Sequence, residues 1–126
     1  MKALQVITQA FRTTAEEQDD AIVWLTRSMR SAGAELMVLL SGHAVQYAAL
    51  TQRQPAFGLG DWQQTQPADL TSDLTRLLES NVPIYAVQED LHDRGLADHR
   101  LLGGIIAIPR GELPELYQQV DQVWQW

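Results

Sequence analysis

The run LMVLL at residues 36–40 contains no polar residue. Five consecutive apolar residues fit a strand that is buried on both of its faces, which is the usual position of a strand in a parallel sheet. Further apolar stretches at residues 4–7, 82–87 and 105–108 predict three more strands. The sequence is therefore organised around at least four buried strands.

Segments with helical spacing of their apolar residues lie between these strands. Ile22, Leu25 and Met29 share one face of a predicted helix, which acidic residues precede and Gly33 ends. Asp69 or Thr71 can cap the next long helix, and a short helix at residues 89–94 is closed by Gly95. The acidic residues ahead of the first helix are Glu16, Glu17, Asp19 and Asp20.

A final helix is predicted to begin near Pro114, because proline is tolerated in a first helical turn. Its apolar positions run from Leu113 through Leu116 and Val120 to Val123. Helices that alternate with strands imply right-handed crossovers. We therefore expect a single α/β domain over residues 1–126, with a mostly parallel sheet of four or five strands between two helical layers.

Composition excludes several classes of function. The 126 residues carry 9 Lys and Arg against 16 Asp and Glu, a net charge of −7, which disfavours a nucleic-acid backbone as ligand. The chain has no cysteine, so disulfides, thiolate nucleophiles and Cys-ligated metal centres are impossible. No apolar stretch approaches the ~20 residues that cross a bilayer. We expect a cytoplasmic protein with no membrane partner.

The loops after the first three strands are the places where ligands bind such sheets, at residues 8–14, 41–43 and 88–90. Ser41 and His43 suggest a nucleophile with its base, or alternatively an ordinary loop. Glu89 and Asp90 suggest acid–base chemistry, or alternatively acidic residues that stabilise a helix start. The candidate cleft comprises Ser41, His43, Gln88, Glu89, Asp90 and Arg94.

No cofactor or metal is expected. The loop at residues 8–14 has no glycine through which backbone amides could approach a phosphate. The three histidines, His43, His92 and His99, do not have the spacing of metal ligands on a shared helix.

Tryptophan and phenylalanine mark two candidate interfaces. Phe57 and Trp62 lie in a long irregular stretch at residues 52–68, and Trp124 and Trp126 lie in the last three residues. Loops of that length are usually functional or interfacial, and aromatic residues anchor interfaces as readily as cores. The sequence leaves open whether the last two tryptophans pack on their own core or on a neighbouring subunit.

The stretch VPIYAVQEDLHDRGL at residues 82–96 resembles the signature of the DsrE/DsrF/DsrH family of small sulfur-relay proteins. It is nearest the DsrH/TusB branch, whose pattern is Tyr-Ala-Leu-x-x-Asp-Leu-x-x-Arg-Gly-Leu, and residues 121–126 resemble the ending of that branch. The resemblance implies a Rossmann-like or flavodoxin-like fold and homotrimers, hexamers or mixed assemblies with related subunits. It also implies sulfur transfer by a cysteine persulfide, in sulfur oxidation or tRNA thiolation.

By register with Arg94 and Gly95, the sulfur-carrying cysteine of that family falls at Val87, which cannot hold a persulfide. The resemblance therefore predicts a non-catalytic subunit, an oligomer of itself or of related chains, rather than an enzyme. The alternative is a small-molecule-binding protein or a hydrolytic enzyme that uses the cleft at the strand ends.

Overall fold

The computed structural model describes residues 1–12, 14 and 19–126, so Glu16 and Glu17 lie outside the described residues. Two short 3-10 helices, Gly42–Ala48 and Arg110–Glu112, accompany the main elements. In chain order the helices and strands are β1 (Lys2–Ile7), α1 (Ala21–Ser31), β2 (Glu35–Leu40), β3 (Gly58–Leu59), β4 (Trp62–Gln63), α2 (Leu70–Glu79), β5 (Ile84–Val87), α3 (Gln88–Asp93), β6 (Ile106–Ile108), α4 (Leu113–Gln118) and β7 (Gln122–Gln125).

Five strands form one parallel sheet in the order β6-β5-β2-β1-β7. This arrangement confirms the predicted α/β fold with a Rossmann-like parallel sheet. The chain steps from β1 through β2 and β5 to β6 in one direction, and then returns across the sheet to β7. Because parallel crossovers are right-handed, the return connection places its helix on the opposite side from the others.

The core follows this topology in two layers. On the first face of the sheet, strand residues such as Val38 and Ile84 pack with Ile22 of α1 and Leu74 of α2. On the second face, residues such as Met37 and Leu39 pack with Leu116 of α4. Alternate residues of each strand therefore enter different cores, which explains why the run at residues 36–40 has no polar position.

The predicted helix boundaries have clear physical causes. Asp20 caps α1 by accepting hydrogen bonds from the backbone N–H groups of Ile22 and Val23 at 2.9 and 3.0 Å. Of the two caps considered for α2, Asp69 is the one that accepts from a backbone amide. Gly33 follows α1 with a φ of +97°, a conformation in which a glycine closes a helix without strain.

The prediction of one long final helix was wrong, because α4 ends at Gln118. The following residues instead form β7, in which Val123 pairs with Leu4 of β1. Without this strand the backbone of β1 would be an unpaired sheet edge, so the pairing outweighs the helical spacing of Leu113 to Val123. The stretch predicted to be irregular, residues 52–68, contains the β3–β4 hairpin, and the segment directly after β2 forms the 3-10 helix Gly42–Ala48.

Trp126 is hydrogen-bonded to its own chain through its indole group. Its indole N–H donates to Gln5 Oε1 at 2.7 Å, and Gln5 is fully buried in β1. Trp126 nevertheless keeps 36% of its surface exposed. The indole N–H of Trp124 donates to the exposed Gln122 on the same strand at 3.0 Å.

We expect the substitution Trp126→Phe to lower the free energy of unfolding by about 1 kcal/mol, because it leaves the buried Gln5 oxygen without its donor. The matched control Trp124→Phe removes a donor whose acceptor, Gln122, is exposed to water, and should change stability by less than about 0.5 kcal/mol. Urea denaturation followed by circular dichroism measures both. Equal losses in the two variants would show that the Gln5 contact does not stabilise β7.

Candidate functional site

Asp90 is the centre of a polar cluster at the carboxyl ends of β2 and β5. Its Oδ2 accepts hydrogen bonds from the backbone N–H of Gly42 at 2.8 Å and from Ser41 Oγ at 3.3 Å. Its Oδ1 accepts from Arg110 Nη2 at 2.7 Å, and only 13% of the Asp90 side chain is exposed. The carboxylate therefore joins three segments of the chain that lie far apart in sequence.

Glu89 and Arg94 extend this cluster. Both carboxylate oxygens of Glu89 accept from the backbone N–H of Arg110, at 2.9 and 3.1 Å. That backbone hydrogen bond holds the pKa of Glu89 below its usual range. Arg94 Nη1 donates to the backbone oxygen of Asp90 at 3.4 Å.

The structure brings four of the six predicted cleft residues together and leaves two apart. Ser41, Glu89, Asp90 and Arg94 belong to the cluster, whereas the side chains of His43 and Gln88 are exposed. No hydrogen bond among the described residues joins Ser41 to His43, and Ser41 donates to a carboxylate instead. The observed contacts tie strand ends together and do not form a nucleophile–base pair.

Arg110 is a member of the cluster that sequence reasoning missed. It lies two residues beyond β6, so it follows the carboxyl end of a strand just as Ser41 and Gln88 do. Ligands bind parallel sheets in the loops that follow the strands, so including the loop after the fourth predicted strand among the candidates would have identified Arg110.

Val87, at the position of the family cysteine in the resemblance, is the last residue of β5. Its side chain is 1% exposed and lies in the second-face core with Ile108 and Leu116. The next residue, Gln88, is the first after β5 whose side chain is exposed. Position 87 therefore has a packing role in this chain.

An open cavity of about 570 Å³ lies beside α3 and the outer strand β6. Its lining combines apolar and polar groups, among them Glu89, His92, Leu96, Ala97, Leu101 and Ala107. Ala107 is exposed there, on the outermost strand of the sheet. The cavity thus adjoins the Asp90 cluster and carries an apolar floor.

The loop after β1 rests on a buried hydrogen-bond network. Tyr47 Oη donates to Asp20 Oδ2 at 2.6 Å and accepts from the backbone N–H of Phe11. Burial raises the pKa of Tyr47 far above its usual range, so the hydroxyl remains protonated. Phe11 has a φ of +58°. Its ring packs edge-on against the ring of Tyr47, with the two ring centroids 5.2 Å apart.

The four predicted interface aromatics occupy two separate places. Phe57 and Trp62 lie together on the β3–β4 hairpin, with ring centroids 6.0 Å apart. Trp124 is in β7, and Trp126 follows it directly at the edge of the main sheet.

Two searches of the described residues gave negative findings. In residues 1–12, 14 and 19–126, no group of three or more His, Cys, Asp and Glu side chains is arranged to hold a metal ion. Within the same residues, no helix has both the length and the apolar character needed to span a membrane.

Comparison with known proteins identifies the fold. No protein-family model and no curated protein matches the chain. Among solved structures, the ychN protein of E. coli is similar over 100% of both chains, with a TM-score of 0.74 and 18% identity.

Two structures titled as proteins of unknown function are also similar. MTH1491 of Methanobacterium thermoautotrophicum covers 99% of this chain and 98% of its own, with a TM-score of 0.70 and 11% identity. BT1422 of Bacteroides thetaiotaomicron covers 98% and 94%, with a TM-score of 0.64 and 17% identity. At these identities the likeness establishes a shared α/β fold over essentially the whole chain.

Proposed function

We propose that this chain is a non-catalytic subunit of an oligomeric assembly of the DsrE/DsrH-like sulfur-relay type. It contributes binding surface to the assembly and no nucleophile. The observation that carries the proposal is Val87, an aliphatic, 1% exposed core residue at the place where the resembling family keeps its reactive thiol. The absence of cysteine from the whole chain means that no other residue can take over persulfide chemistry.

The polar cluster at the strand ends agrees with this role. The Asp90 carboxylate accepts three hydrogen bonds within the chain, and the Glu89 carboxylate is held by a backbone amide. A general base needs an oxygen that can reach a substrate proton. These carboxylates are engaged in joining strand ends, which favours a structural role for the cluster.

Affinity purification of the tagged chain from its native source, followed by mass spectrometry, tests the proposal. We expect cysteine-bearing α/β proteins of similar size to co-purify in a fixed ratio, and an unrelated tagged bait expressed alongside to recover none of them. Light scattering on the recombinant chain should also give an oligomer. A monomer that recovers no such relative would contradict the proposal.

A cysteine introduced at position 87 should react more slowly than a cysteine at a neighbouring exposed position. We expect Val87→Cys to react with an aromatic disulfide reagent more than tenfold more slowly than the matched variant Gln88→Cys. The reason is that the first thiol is enclosed by Ile108 and Leu116, whereas the second is exposed. Because the natural chain has no cysteine, each variant reports a single site. Equal rates would show that position 87 is open to solvent and would remove the main support for the proposed role.

A further inference from the structure

The cavity beside α3 and β6 has the size of a small-molecule site. It measures about 570 Å³, and ligand pockets of proteins typically have volumes of ~300–1,000 Å³. It lies next to the carboxyl end of β5, where α3 begins, and this is the end at which parallel sheets bind ligands. Of the cleft residues predicted from the sequence, Gln88 and Glu89 are in its lining, and the rest of the cavity is a different surface.

One wall of the cavity is a face of α3. Glu89, His92 and Asp93 are separated by three and four residues, so they lie on the same side of the helix. Glu89 is the most constrained of the three, because both of its oxygens accept from the backbone N–H of Arg110. A carboxylate oxygen has two lone pairs, so each oxygen of Glu89 can accept a further hydrogen bond.

The second wall is the segment that follows α3. Gly95 ends the helix with a φ of +71°, a conformation that favours glycine. Residues 96–101 then supply leucine, alanine and histidine side chains to the lining. The far end of this segment is fixed to the body of the domain, because Leu101 pairs with Ala49.

The floor of the cavity and part of its second wall are apolar. Ala107 of β6 and Ala97 carry only methyl groups, which leaves the hollow unfilled, and Leu96 and Leu101 add apolar surface. Apolar surface of this kind binds hydrocarbon. The body of a fitting ligand is therefore an alkyl chain or a ring.

Three polar side chains of the lining are available to a ligand. In the part of the chain that the structure describes, the side chains of His92, Asp93 and His99 have no hydrogen-bond or ion-pair partner. Asp90, on the same helix, differs in that it accepts three hydrogen bonds from its own chain. An ionised carboxylate only accepts hydrogen bonds, and an imidazole accepts one at its unprotonated nitrogen. The cavity thus offers acceptors to a ligand that donates.

The charge of the lining selects the sign of the ligand. The lining includes the carboxylates of Glu89 and Asp93, and no lysine or arginine is among its described residues. The chain as a whole has a net charge of −7, which adds to the negative potential. An anion is repelled here, whereas an ammonium group brings a positive charge and three N–H donors.

We infer that the cavity beside α3 and β6 binds a small primary amine with an apolar body. The ammonium group bonds to Asp93 and to the imidazoles of His92 and His99. The hydrocarbon body lies on the methyl groups of Ala97 and Ala107. This inference goes beyond the proposed function, because a non-catalytic subunit needs no ligand of its own.

Three probes with one common body test the choice of charge. Phenethylammonium, phenethyl alcohol and hydrocinnamate carry a cation, a hydroxyl and an anion on the same phenylethyl group. We expect the cation to bind the full chain with a dissociation constant in the millimolar range, because so small a ligand makes few contacts. The other two should bind at least tenfold more weakly. Ligand-observed NMR at neutral pH measures all three, whatever the oligomeric state of the chain.

Two variants with the same change in net charge locate the site. Asp93→Asn and Asp98→Asn each remove one negative charge at an exposed position, and of these two residues only Asp93 lines the cavity. We expect Asp93→Asn to raise the dissociation constant of phenethylammonium at least fivefold and Asp98→Asn to change it less than twofold. Ala97→Phe fills the cavity and should abolish binding. Unchanged circular dichroism spectra verify that each variant is folded.

Several results would overturn the inference. Equal dissociation constants for the three probes would show that the cavity does not select a cation. Equal effects of the two aspartate substitutions would mean that only the net charge attracts the amine, and binding that persists in Ala97→Phe would place the amine elsewhere.

A lysine analogue distinguishes a free amine from the side chain of a partner protein. If N-acetyl-lysine methylamide binds more tightly than phenethylammonium, the occupant is a lysine of another protein and the small-molecule site is wrong. None of these outcomes changes the subunit role, which native-source purification tests separately.

Discussion

Replacing Asp20 by alanine is expected to lower the free energy of unfolding by about 3 kcal/mol. The substitution removes the N-cap of α1, where two backbone N–H groups bond to the carboxylate, at a cost of about 1 kcal/mol. It also leaves the buried Tyr47 hydroxyl without its acceptor, which costs a further ~1–3 kcal/mol. Asp20 is 1% exposed, so water cannot readily replace the lost oxygen atoms.

Asp69→Ala is the matched control, because Asp69 caps α2 in the same way at an exposed position. It loses a cap without orphaning a buried group and should cost about 1 kcal/mol. Urea denaturation of the two variants gives the comparison. If Asp20→Ala costs no more than Asp69→Ala, the Tyr47 network contributes nothing measurable to the stability of the fold.

The same network has a pH signature. The pKa of Tyr47 is raised in the folded state, chiefly by burial, so the folded chain holds this proton more tightly than the unfolded chain does. The stabilisation is fully present below the unfolded pKa of about 10 and is lost as the pH rises above it, at up to ~1.4 kcal/mol per pH unit. Tyr47→Phe lacks this proton and should lose less stability between pH 9 and 11 than the natural chain.

Asp90→Ala is expected to cost about 2 kcal/mol. It removes the acceptor of the Gly42 amide and of the Ser41 hydroxyl, which join β2 to α3 at the strand ends. The ion pair with Arg110 adds little, since 56% of the Arg110 side chain is exposed and salt screens the interaction. Asp90→Asn keeps an oxygen that can accept from both Gly42 and Ser41 and loses the ion pair with Arg110, so its stability should fall between the natural chain and Asp90→Ala.

Asp93→Ala is the control for this prediction, because Asp93 lies on the same helix with an exposed side chain. We expect it to change the free energy of unfolding by less than about 0.5 kcal/mol. Urea midpoints measured at low and high salt separate the backbone contribution from the ion pair. A loss in Asp90→Ala that disappears at high salt would mean that the Arg110 pair, and not the Gly42 contact, holds the strand ends together.

The residues at the strand ends show which parts of the candidate site could be predicted from the sequence. Parallel pairing places Ser41 and Asp90 after neighbouring strands, so their proximity followed from the predicted topology. The orientation of His43 did not follow, because it depends on the 3-10 helix in which the residue lies. A 3-10 helix has three residues per turn, so it directs successive side chains differently from an α-helix. No local sequence signal distinguished a 3-10 helix from a short α-helix at this point.

The last segment shows where sequence periodicity misled. Leu113, Leu116, Val120 and Val123 fit a helix, but Val123 belongs to a strand because β1 offers it a backbone partner more than a hundred residues earlier in the chain. Hydrophobic spacing reports only which faces are apolar within a segment. It contains no information about a free strand edge elsewhere in the molecule.

The sequence alone determined the parallel α/β architecture, the caps available to its helices and the absence of any thiol, because these depend on residue type and on spacing within one segment. The tertiary structure decided that Val87 is enclosed, that Asp90 is bonded to Gly42 and Arg110, and that the aromatic side chains of the β3–β4 hairpin are exposed. These properties depend on contacts between segments that are distant in sequence, and such contacts exist only once the sheet has assembled.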